Sequence, residues 1–535
     1  MRRSGFLAAA TLVALLSVAV AAPTLRYGFV YDDEAVVLER KPFWEEGLAT
    51  FVKSRHWGSG RHATLASLDL DRLWSGTVPL PFHATNISLS ALLSVAILLL
   101  ASRLGLDLAG ATAAAALFAV HPTHVDAVAS IVGRAELLAA LGVVGALLLA
   151  IRPSTSSSPR PVGTLLATAV LATLAFHAKE SSLCLLPLLL LARILLGSRV
   201  AVVPAVAGSG LALATLLAVA ASAAGSIETP EFVDNPLAYD SFVERLPKAL
   251  LILADYARLT VWPYPLLPDR SFAATDPGLA AGWIAAAGWL AVAAGAWGLL
   301  RRAPLAAFSM AWFPFAFAVS GNVAFPIGTI MAERLLLLPS FAACLAAGLV
   351  VDHLSSPSHA RRGAIVATVL LTVAVFFVQF RTRASVWESA DTYFPASAAA
   401  SPRSAKAAYD HGLYLLRQKR RGEAEAELAR ALSIRPAFTR ASFHLAESMA
   451  ARGADAEGAA VYANHLATTP TDTGAMTNLA RLLLNAGRPD EALVWARRLV
   501  EIAPENPDAV STLVRAEAAL KRAQQKAARD PSVSP

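Results

Sequence analysis

Long apolar runs alternate with short polar loops along the first 380 residues of the chain. Each run is long enough, or nearly long enough, to cross a bilayer as a helix. The apolar runs lie at 7–22, 82–101, 107–120, 135–151, 162–177, 183–198, 200–222, 278–300, 304–320, 335–351 and 363–380. This pattern predicts an all-α, polytopic membrane domain over residues 1–400 with about eleven spans.

The apolar run 246–264 is different because Lys248, Asp255 and Arg258 lie in its middle. Charged side chains are costly in hydrocarbon, so we interpret this run as an interfacial or re-entrant helix. With 246–264 left out of the count, the arginines of the short loops all fall on one side, which predicts the cytoplasmic side.

The N-terminal run has two interpretations, and both place the residues that follow it on the same side of the membrane. It is either a retained first span, with Arg2 and Arg3 in the cytoplasm, or a secretory signal cleaved after Ala22. In both cases the polar segments that need explaining face outward. They are the Asp32–Asp33 loop, 121–136, 177–182, 225–277, 320–334 and the C-terminal region.

A 34-residue period begins near residue 405, where the sequence becomes charged and alanine-rich. Pro436, Pro470 and Pro504 are 34 residues apart, and the small residues at two further positions repeat in the same register. Those small residues are Gly412, Ala446 and Ala480, and Ala424, Gly458 and Ala492. This is the tetratricopeptide period. It predicts an α-solenoid over 405–527, with repeats 405–438, 439–472 and 473–506, a capping helix 507–527 and a disordered tail 528–535.

Composition and charge support a membrane protein and exclude other classes. The chain is 56% hydrophobic and 16% charged, with a mean hydropathy of +0.52, which is too apolar for a soluble protein of 535 residues. The net charge of +7 comes from loop arginines and not from a basic stripe with aromatics, so nucleic acid is not predicted as a partner. The two cysteines, Cys184 and Cys344, lie in apolar segments and provide no disulfide framework.

Three carboxylates, Asp32, Asp33 and Glu34, follow the first span directly. A solvated helix end is the simpler interpretation of such a cluster. Further ionisable groups on the same face favour a site, in which one carboxylate takes a proton from a hydroxyl and a second orients it or raises its pKa. We therefore predict Asp32 and Asp33 as catalytic residues.

Cations stand beside carboxylates at three other helix mouths of this face. Arg134, Lys179 and Arg334 are predicted to bind the phosphate of a ligand whose tail lies in the bilayer. The predicted supporting residues are Glu34, Arg61, His121, His124, Asp126, Glu180 and Glu333. His121, His124 and Asp126 have a spacing that also permits a metal, but it is unspecific, and no metal is predicted.

Seven strings of the sequence together resemble one family along nearly the whole chain: the transmembrane and tetratricopeptide-repeat containing proteins, which are O-mannosyltransferase-like enzymes of the glycosyltransferase C type. The strings are GFVYDDEAVVLER (28–40), RHATLASLDLDRLW (61–74), PFHATNISLSAL (81–92), HPTHVDAVASIVGRAELLA (121–139), AKES (178–181), YARLTVWPYPLLPDRSF (256–272) and PIGTIMAERLLLLPS (326–340).

The resemblance implies an inverting transferase that moves a sugar, typically mannose, from a polyprenyl phosphate to Ser or Thr hydroxyls. It also implies that the acidic pair Asp32 and Asp33 is catalytic, with a slight preference for Asp33 as the base. The chain departs from the family pattern at Ser90, where a His is usual, and at Leu337, where an aromatic residue is usual. These departures concern the sugar and the acceptor and leave the reaction type unchanged.

The predicted protein is thus an integral membrane glycosyltransferase without a cofactor. Its partners are the lipid-linked sugar, membrane lipid and a protein acceptor held by the repeats. Its predicted location is a bacterial inner membrane, with the site and repeats extracytoplasmic. One alternative is a non-enzymatic lipid-carrier transporter or envelope scaffold. Another is a transferase with a glycan or lipid acceptor.

We expect a reporter fused after residue 400 to lie on the same side of the membrane as one inserted near residue 45. The reason is the one-sided distribution of loop arginines. Protease protection of the two fusions in spheroplasts measures this, and cytoplasmic activity of the residue-400 fusion would contradict the predicted sidedness.

Overall fold

The computed structural model describes residues 3–47, 50–51, 61–152, 161–222, 229–271, 278–354 and 359–529. Within these ranges the regular structure is helical, apart from one antiparallel β-bridge between Ile151 and Val200. The predicted all-α class is therefore confirmed.

Contacts divide the chain into two compact units. The first comprises the described residues of Met1–Pro268 and Asp276–Tyr393, and the second those of Asp269–Thr275 and Phe394–Pro535. The division falls inside a helix, α16 (Ala390–Ala400). The domain boundary drawn from the sequence between 400 and 405 stays a prediction.

The first unit contains fifteen helices within the described residues. They are α1 (Arg3–Ala21), α2 (Phe43–Glu46), α3 (His62–Ser75), α4 (Pro79–Leu104), α5 (Leu108–Ala119), α6 (Val125–Ala129), α7 (Arg134–Ala150), α8 (Val162–Ala178), α9 (Leu185–Leu196), α10 (Val203–Ser222), α11 (Phe242–Val261), α12 (Leu279–Leu299), α13 (Pro304–Ala316), α14 (Phe341–Leu354) and α15 (His359–Ala384). Short 3-10 turns lie at Ala22–Arg26, Pro122–His124, Glu180–Cys184, Gly197–Arg199, Pro236–Tyr239, Glu333–Leu336 and Ser385–Trp387, and a π-helix at Glu34–Glu39.

Four helical segments of the described chain are long and apolar enough to cross a membrane. They are Arg3–Arg26, Pro79–Leu104, Leu279–Leu299 and Arg362–Trp387. A fifth is possible if α5 and the segment Pro122–Ala129, bent by 48°, form one broken span. The protein is an integral membrane protein. The predicted count of about eleven spans is not confirmed, because several apolar runs form helices of fewer than 18 residues, such as α8, α13 and α14.

The run that we predicted to be interfacial or re-entrant forms α11. Ser241 and Glu244 make a reciprocal capping box at its start. Lys248 is paired with Asp240 at 2.8 Å, and Arg258 with Asp255 at 2.7 Å. Its charges are thus neutralised locally, which lowers the cost of placing this helix against an apolar neighbour. Its position at the membrane stays a prediction.

The second unit contains the helices of the predicted repeats. They are α17 (Ala405–Arg417), α18 (Arg421–Ile434), α19 (Thr439–Ala450), α20 (Asp455–Thr468), α21 (Thr473–Asn485), α22 (Pro489–Ile502) and α23 (Pro507–Arg529). The first six form three consecutive helix pairs, and α23 packs against α22. The helix extends two residues into the tail predicted to be disordered, and residues 530–535 lie outside the described residues.

The small residues of the period lie where helices pack closely. A Cβ at Gly412 would be 2.8 Å from Leu428 Cγ, and a Cβ at Gly458 would be 2.8 Å from the carbonyl oxygen of Ala446. Ala424 and Ala446 are fully buried. Helix pairs in this register therefore require small side chains at these positions, which is why the period is readable in the sequence.

Gly458→Ala should lower the free energy of unfolding of the second unit by roughly 1–3 kcal/mol, because the new Cβ meets backbone of the neighbouring helix. The matched control is Gly422→Ala, where a Cβ would meet nothing within 4 Å. That change should stabilise α18 by up to about 1 kcal/mol. Proteolysis of the detergent-solubilised full chain across a urea series measures both, and equal effects of the two variants would refute the close contact.

Candidate active site

A cavity of about 550 Å³ lies in the first unit. Its polar wall is formed by Tyr31, Asp32, Arg61, Asp126, Ser130, Glu136, Lys179, Glu180, Ser181, Ser320, Thr329, Arg334 and Trp387. Its apolar wall is formed mainly by Val132, Phe176, Leu183, Leu213, Val319, Phe325, Ile327 and Leu335. A cavity of this size with walls of two characters suits a ligand with a charged head and an apolar tail.

Asp32 and Asp33 have different environments. Tyr31 precedes them in the chain, and its φ of 58° is in the left-handed region that residues other than glycine seldom adopt. Asp33 is buried, and it accepts hydrogen bonds from the backbone of Val132 at 2.9 Å and from the Ser130 hydroxyl at 3.2 Å. Asp33 therefore fastens the loop after the first span to the segment before α7.

Burial raises the pKa of the Asp33 carboxyl to about 7. Backbone N–H groups of Val132, Ile131 and Val30 act against this increase, and the neighbouring charge of Asp32 adds to it. Asp33 is thus a buried loop residue that can hold a proton near neutral pH.

Asp32 lines the cavity. Its carboxylate makes no hydrogen bond or ion pair with another residue in the part of the chain that the structure describes. Glu34 begins the π-helix and does not line the cavity. Of the three acidic residues, Asp32 is the one placed to meet a ligand.

Arg134 is not placed as predicted. It is fully buried and does not line the cavity. Its guanidinium pairs with Asp71 at 2.5 Å and donates hydrogen bonds to Asn86 Oδ1 and to the carbonyl oxygens of Ser67 and Phe82, at 2.9 to 3.0 Å. With its donors used inside the protein, Arg134 holds α7 to α3 and α4, which corrects its predicted role as a phosphate ligand.

Two other predicted cations reach the cavity but are paired there. Lys179 forms a salt bridge with Glu136, and Arg61 binds both oxygens of Glu180, at 2.6 and 3.1 Å. Burial would raise the pKa of Glu180, but the Arg61 guanidinium outweighs it and lowers that pKa to about 2. These pairs form a wall whose charges are largely cancelled.

Arg334 lies in the 3-10 turn before α14 and lines the cavity. Among the described residues, no hydrogen bond or ion pair within 4.0 Å engages its guanidinium. Burial would lower its pKa, but the surrounding carboxylates, first Asp32 and then Asp126 and Glu136, raise it. Arg334 is therefore a cation in the cavity wall that has the donors to bind an anion.

Asp126 and Glu333 are linked through one residue that sequence reasoning missed. Arg383, at the end of α15, approaches Asp126 at 3.6 Å and Glu333 at 3.5 Å. Glu333 also accepts a hydrogen bond from the backbone of Leu267 at 2.6 Å. Asp126 lines the cavity, whereas Glu333 does not.

His121 and His124 are buried and lie outside the cavity wall. Their rings stack with centroids 5.2 Å apart. His121 Nε2 lies 3.1 Å from the carbonyl oxygen of Thr260, and His124 Nε2 lies 2.8 Å from the Ser340 hydroxyl. In the described ranges, no group of three or more His, Cys, Asp or Glu residues could hold a metal ion. The two histidines join α5 to other parts of the unit.

Two asparagines that the sequence did not single out hold one loop of the cavity wall in place. Asn322 has a φ of 58° and donates to the carbonyl oxygens of Thr329 and Ile330, at 3.1 and 3.2 Å. Asn235 donates to Asn322 Oδ1 at 2.9 Å. This network fixes the loop that contributes Phe325, Ile327 and Thr329 to the cavity. A lone Asn between apolar runs gives no signal of such a role.

The cavity therefore combines three chemical functions. Asp32 is a hydrogen-bond acceptor that can take a proton, Arg334 is a donor that can bind an anion, and the apolar wall can cover a hydrophobic chain. Paired charges and buried amides hold these groups in place.

Comparisons with known proteins match the repeat region and find relatives named as protein O-mannosyl-transferases. A family model described as tetratricopeptide repeat matches residues 455–517. The chain is 35% identical over 174 residues to protein O-mannosyl-transferase Tmtc1 of Drosophila melanogaster, covering 30% of this chain and 20% of the relative. It is 34% identical over 168 residues to protein O-mannosyl-transferase TMTC3 of Mus musculus, covering 29% and 18%.

A longer match links the chain to protein O-mannosyl-transferase TMTC4 of Homo sapiens, with 25% identity over 453 residues, 72% of this chain and 60% of the relative. The first two matches span only about a fifth of the relatives' own length. These relatives confirm the resemblance to the transmembrane and tetratricopeptide-repeat containing proteins that the seven sequence strings indicate.

We expect the stability of the wild type to fall relative to Asp33→Asn as the pH rises from about 4 to about 7. The folded protein keeps a proton on Asp33 up to a pKa of about 7, whereas the unfolded chain loses it near the ordinary value of 3.8. The contribution of Asp33 to the free energy of unfolding is therefore complete below pH 3.8 and is lost as the pH rises towards about 7. Thermal unfolding midpoints of both proteins at several pH values give the difference, and a gap independent of pH would contradict the raised pKa.

Proposed function

We propose that the protein is a glycosyltransferase that moves a sugar, mannose, from a polyprenyl phosphate to Ser or Thr hydroxyls of proteins. The names of the curated relatives support the class of reaction. The cavity supports the choice of donor, because it offers a cation beside an apolar wall.

The single observation that carries the proposal is the pair of charges left without partners. The salt bridges Lys179–Glu136 and Arg61–Glu180 neutralise their side of the cavity. Asp32 and Arg334 have no such partner among the residues that the structure describes, although the charge of Asp32 raises the pKa of Arg334. A base and an anion-binding group in one cavity are what transfer from a phosphate donor to a hydroxyl needs.

In the proposed reaction the acceptor hydroxyl oxygen forms a bond to C1 of the sugar. The bond between C1 and the phosphate oxygen breaks, and its electron pair goes to the phosphate. Asp32 accepts the proton of the hydroxyl, and Arg334 binds the phosphate as negative charge builds on it. Attack from the face opposite the phosphate inverts the configuration at C1. This scheme uses no cofactor.

The remaining parts of the proposal concern partners and place. The apolar wall near Phe176 and Leu213 covers the first part of the lipid tail. The repeats bind the protein acceptor, since stacked helix pairs commonly bind extended polypeptide. The site faces the extracytoplasmic side of a bacterial inner membrane. If the protein were a scaffold or a lipid-carrier transporter, it would need neither Asp32 nor a hydroxyl acceptor. If it were a transferase with a glycan or lipid acceptor, the hydroxyls of proteins would stay unmodified.

Asp32→Asn should reduce transfer from polyprenyl-phosphate mannose to a Ser/Thr peptide by about 10²-fold or more, the range for a lost general base. The purified full-length protein in liposomes with a mass-spectrometric readout of the peptide measures this. Glu39→Gln is the matched control, because Glu39 is an exposed carboxylate at the end of the π-helix that follows Asp33, and it does not line the cavity. It should transfer at the wild-type rate.

If Asp32→Asn transferred mannose at the wild-type rate, the Asp32 carboxylate would have no role in the reaction. Absence of any transfer by the wild type to peptides, together with labelling of a glycan or lipid, would change the acceptor. Absence of all transfer would favour the scaffold.

A further inference from the structure

The end of α15 and the turn after it contribute a second polar corner to the cavity. Trp387 lies at the end of the 3-10 turn Ser385–Trp387 and lines the cavity together with Asp126 from α6. Neither residue is required by the reaction scheme above, and Asp126 is predicted from the sequence only as a supporting residue. Their arrangement therefore needs an explanation of its own.

Asp126 is held from the side of α15. The Trp387 indole Nε1–H donates to Asp126 Oδ1 at 3.2 Å, and the Arg383 guanidinium lies 3.6 Å from the same oxygen. One contact is a hydrogen bond to the carboxylate, and the other places an opposite charge beside it. Asp126 is thus a fixed carboxylate in the cavity wall.

Trp387 is fixed as firmly. Its ring packs against Tyr393 with centroids 4.6 Å apart, and Tyr393 in turn lies 5.6 Å from the ring of Tyr31, next to Asp32. With Tyr393 behind it and its N–H used by Asp126, the indole offers the cavity an apolar surface.

A carboxylate beside an indole suits a neutral polyhydroxylated ring better than a phosphate. An ionised carboxylate only accepts hydrogen bonds and repels a phosphate, whereas sugar hydroxyls donate to it in charge-assisted bonds. The C–H groups of a pyranose ring make dispersion contacts with an aromatic surface. Among the described residues, four carboxylates and three cations line the cavity, and this lining also favours a neutral group away from Arg334.

We propose that Asp126 and Trp387 form the subsite for the hexose of the donor, with Asp126 accepting from a sugar hydroxyl and Trp387 packing on the sugar ring. The proposal rests on the proposed function, since it divides the same donor between two places: phosphate at Arg334 and sugar at Asp126 and Trp387. Arg383 is a positioning residue that acts through Asp126.

The test compares two phosphodiester lipids with the same single negative charge: polyprenyl-phosphate mannose and, as the bare lipid without the sugar, polyprenyl methyl phosphate. Equilibrium binding of each to the purified full-length protein in nanodiscs gives the ratio of the two affinities. The variants are Asp126→Asn, Trp387→Leu and Trp387→Phe, with Arg334→Ala for contrast. The control is Trp297→Leu, because Trp297 is 79% exposed and lies outside the cavity wall.

Wild type and Trp297→Leu should bind the sugar-bearing lipid about tenfold or more tightly than the bare lipid, since a site built to bond a hydroxyl discriminates strongly. Asp126→Asn and Trp387→Leu should lose this preference and keep their affinity for the bare lipid, which also shows that they are folded. Trp387→Phe keeps an aromatic ring and loses the N–H, so it should retain part of the preference. Arg334→Ala should weaken the binding of both lipids.

The proposal is overturned if Asp126→Asn and Trp387→Phe keep the full preference, or if they weaken both lipids to the same degree. Should Trp387→Leu fail to fold, the phenylalanine variant and Asp126→Asn decide. The binding ratio does not depend on turnover, so a wild type that binds the sugar-bearing lipid preferentially without transferring it would refute the proposed function and leave the subsite standing.

Discussion

Burying a charge costs several kcal/mol unless an opposite charge or a set of hydrogen bonds compensates it, and this cost governs the polar end of the first unit. Salt bridges compensate this cost, and they join Arg40 to Asp69, Arg134 to Asp71 and Lys179 to Glu136. Each pair joins segments that are distant in sequence. The loops that form the cavity therefore derive their positions from charge pairing, and a group in the wall without a partner is conspicuous because its neighbours are satisfied.

Much of the fold follows from patterns within the sequence. The 34-residue period requires small residues at the helix contacts, and Gly412 and Gly458 lie there with carbonyl or side-chain atoms too close for a Cβ. The acidic cluster and three cation-bearing helix mouths were also recognisable. Asp32 and Arg334 lie in one cavity wall, although they are about 300 residues apart in the chain.

What the sequence could not separate is Arg134 from Arg334. Each stands beside a glutamate at the mouth of a helix, so local pattern gives them the same interpretation. The difference lies in tertiary neighbours: Asp71, Asn86 and two carbonyl oxygens use the donors of Arg134, whereas Arg334 faces the cavity. The predicted count of about eleven spans is not confirmed, for a related reason. Length and hydropathy of a run do not reveal where a helix bends or stops against its neighbours.

Asp32 and Asp33 are adjacent in the sequence but lie in different surroundings, Asp32 in the cavity wall and Asp33 in a buried hydrogen-bond network. Tyr31 adopts a φ of 58°, a conformation that costs of order 1 kcal/mol and is retained only where the surroundings enforce it. Here the enforcing contacts are the hydrogen bonds that Asp33 accepts from Ser130 and Val132, and the packing of Tyr31 on Tyr393. Because Asp33 is bound to the segment before α7, its neighbour Asp32 is held in the cavity wall, where it has no hydrogen-bond or ion-pair partner among the described residues. Under the proposed function, Asp32 serves the chemistry and Asp33 holds the loop in position, a division that two adjacent carboxylates in the sequence do not reveal.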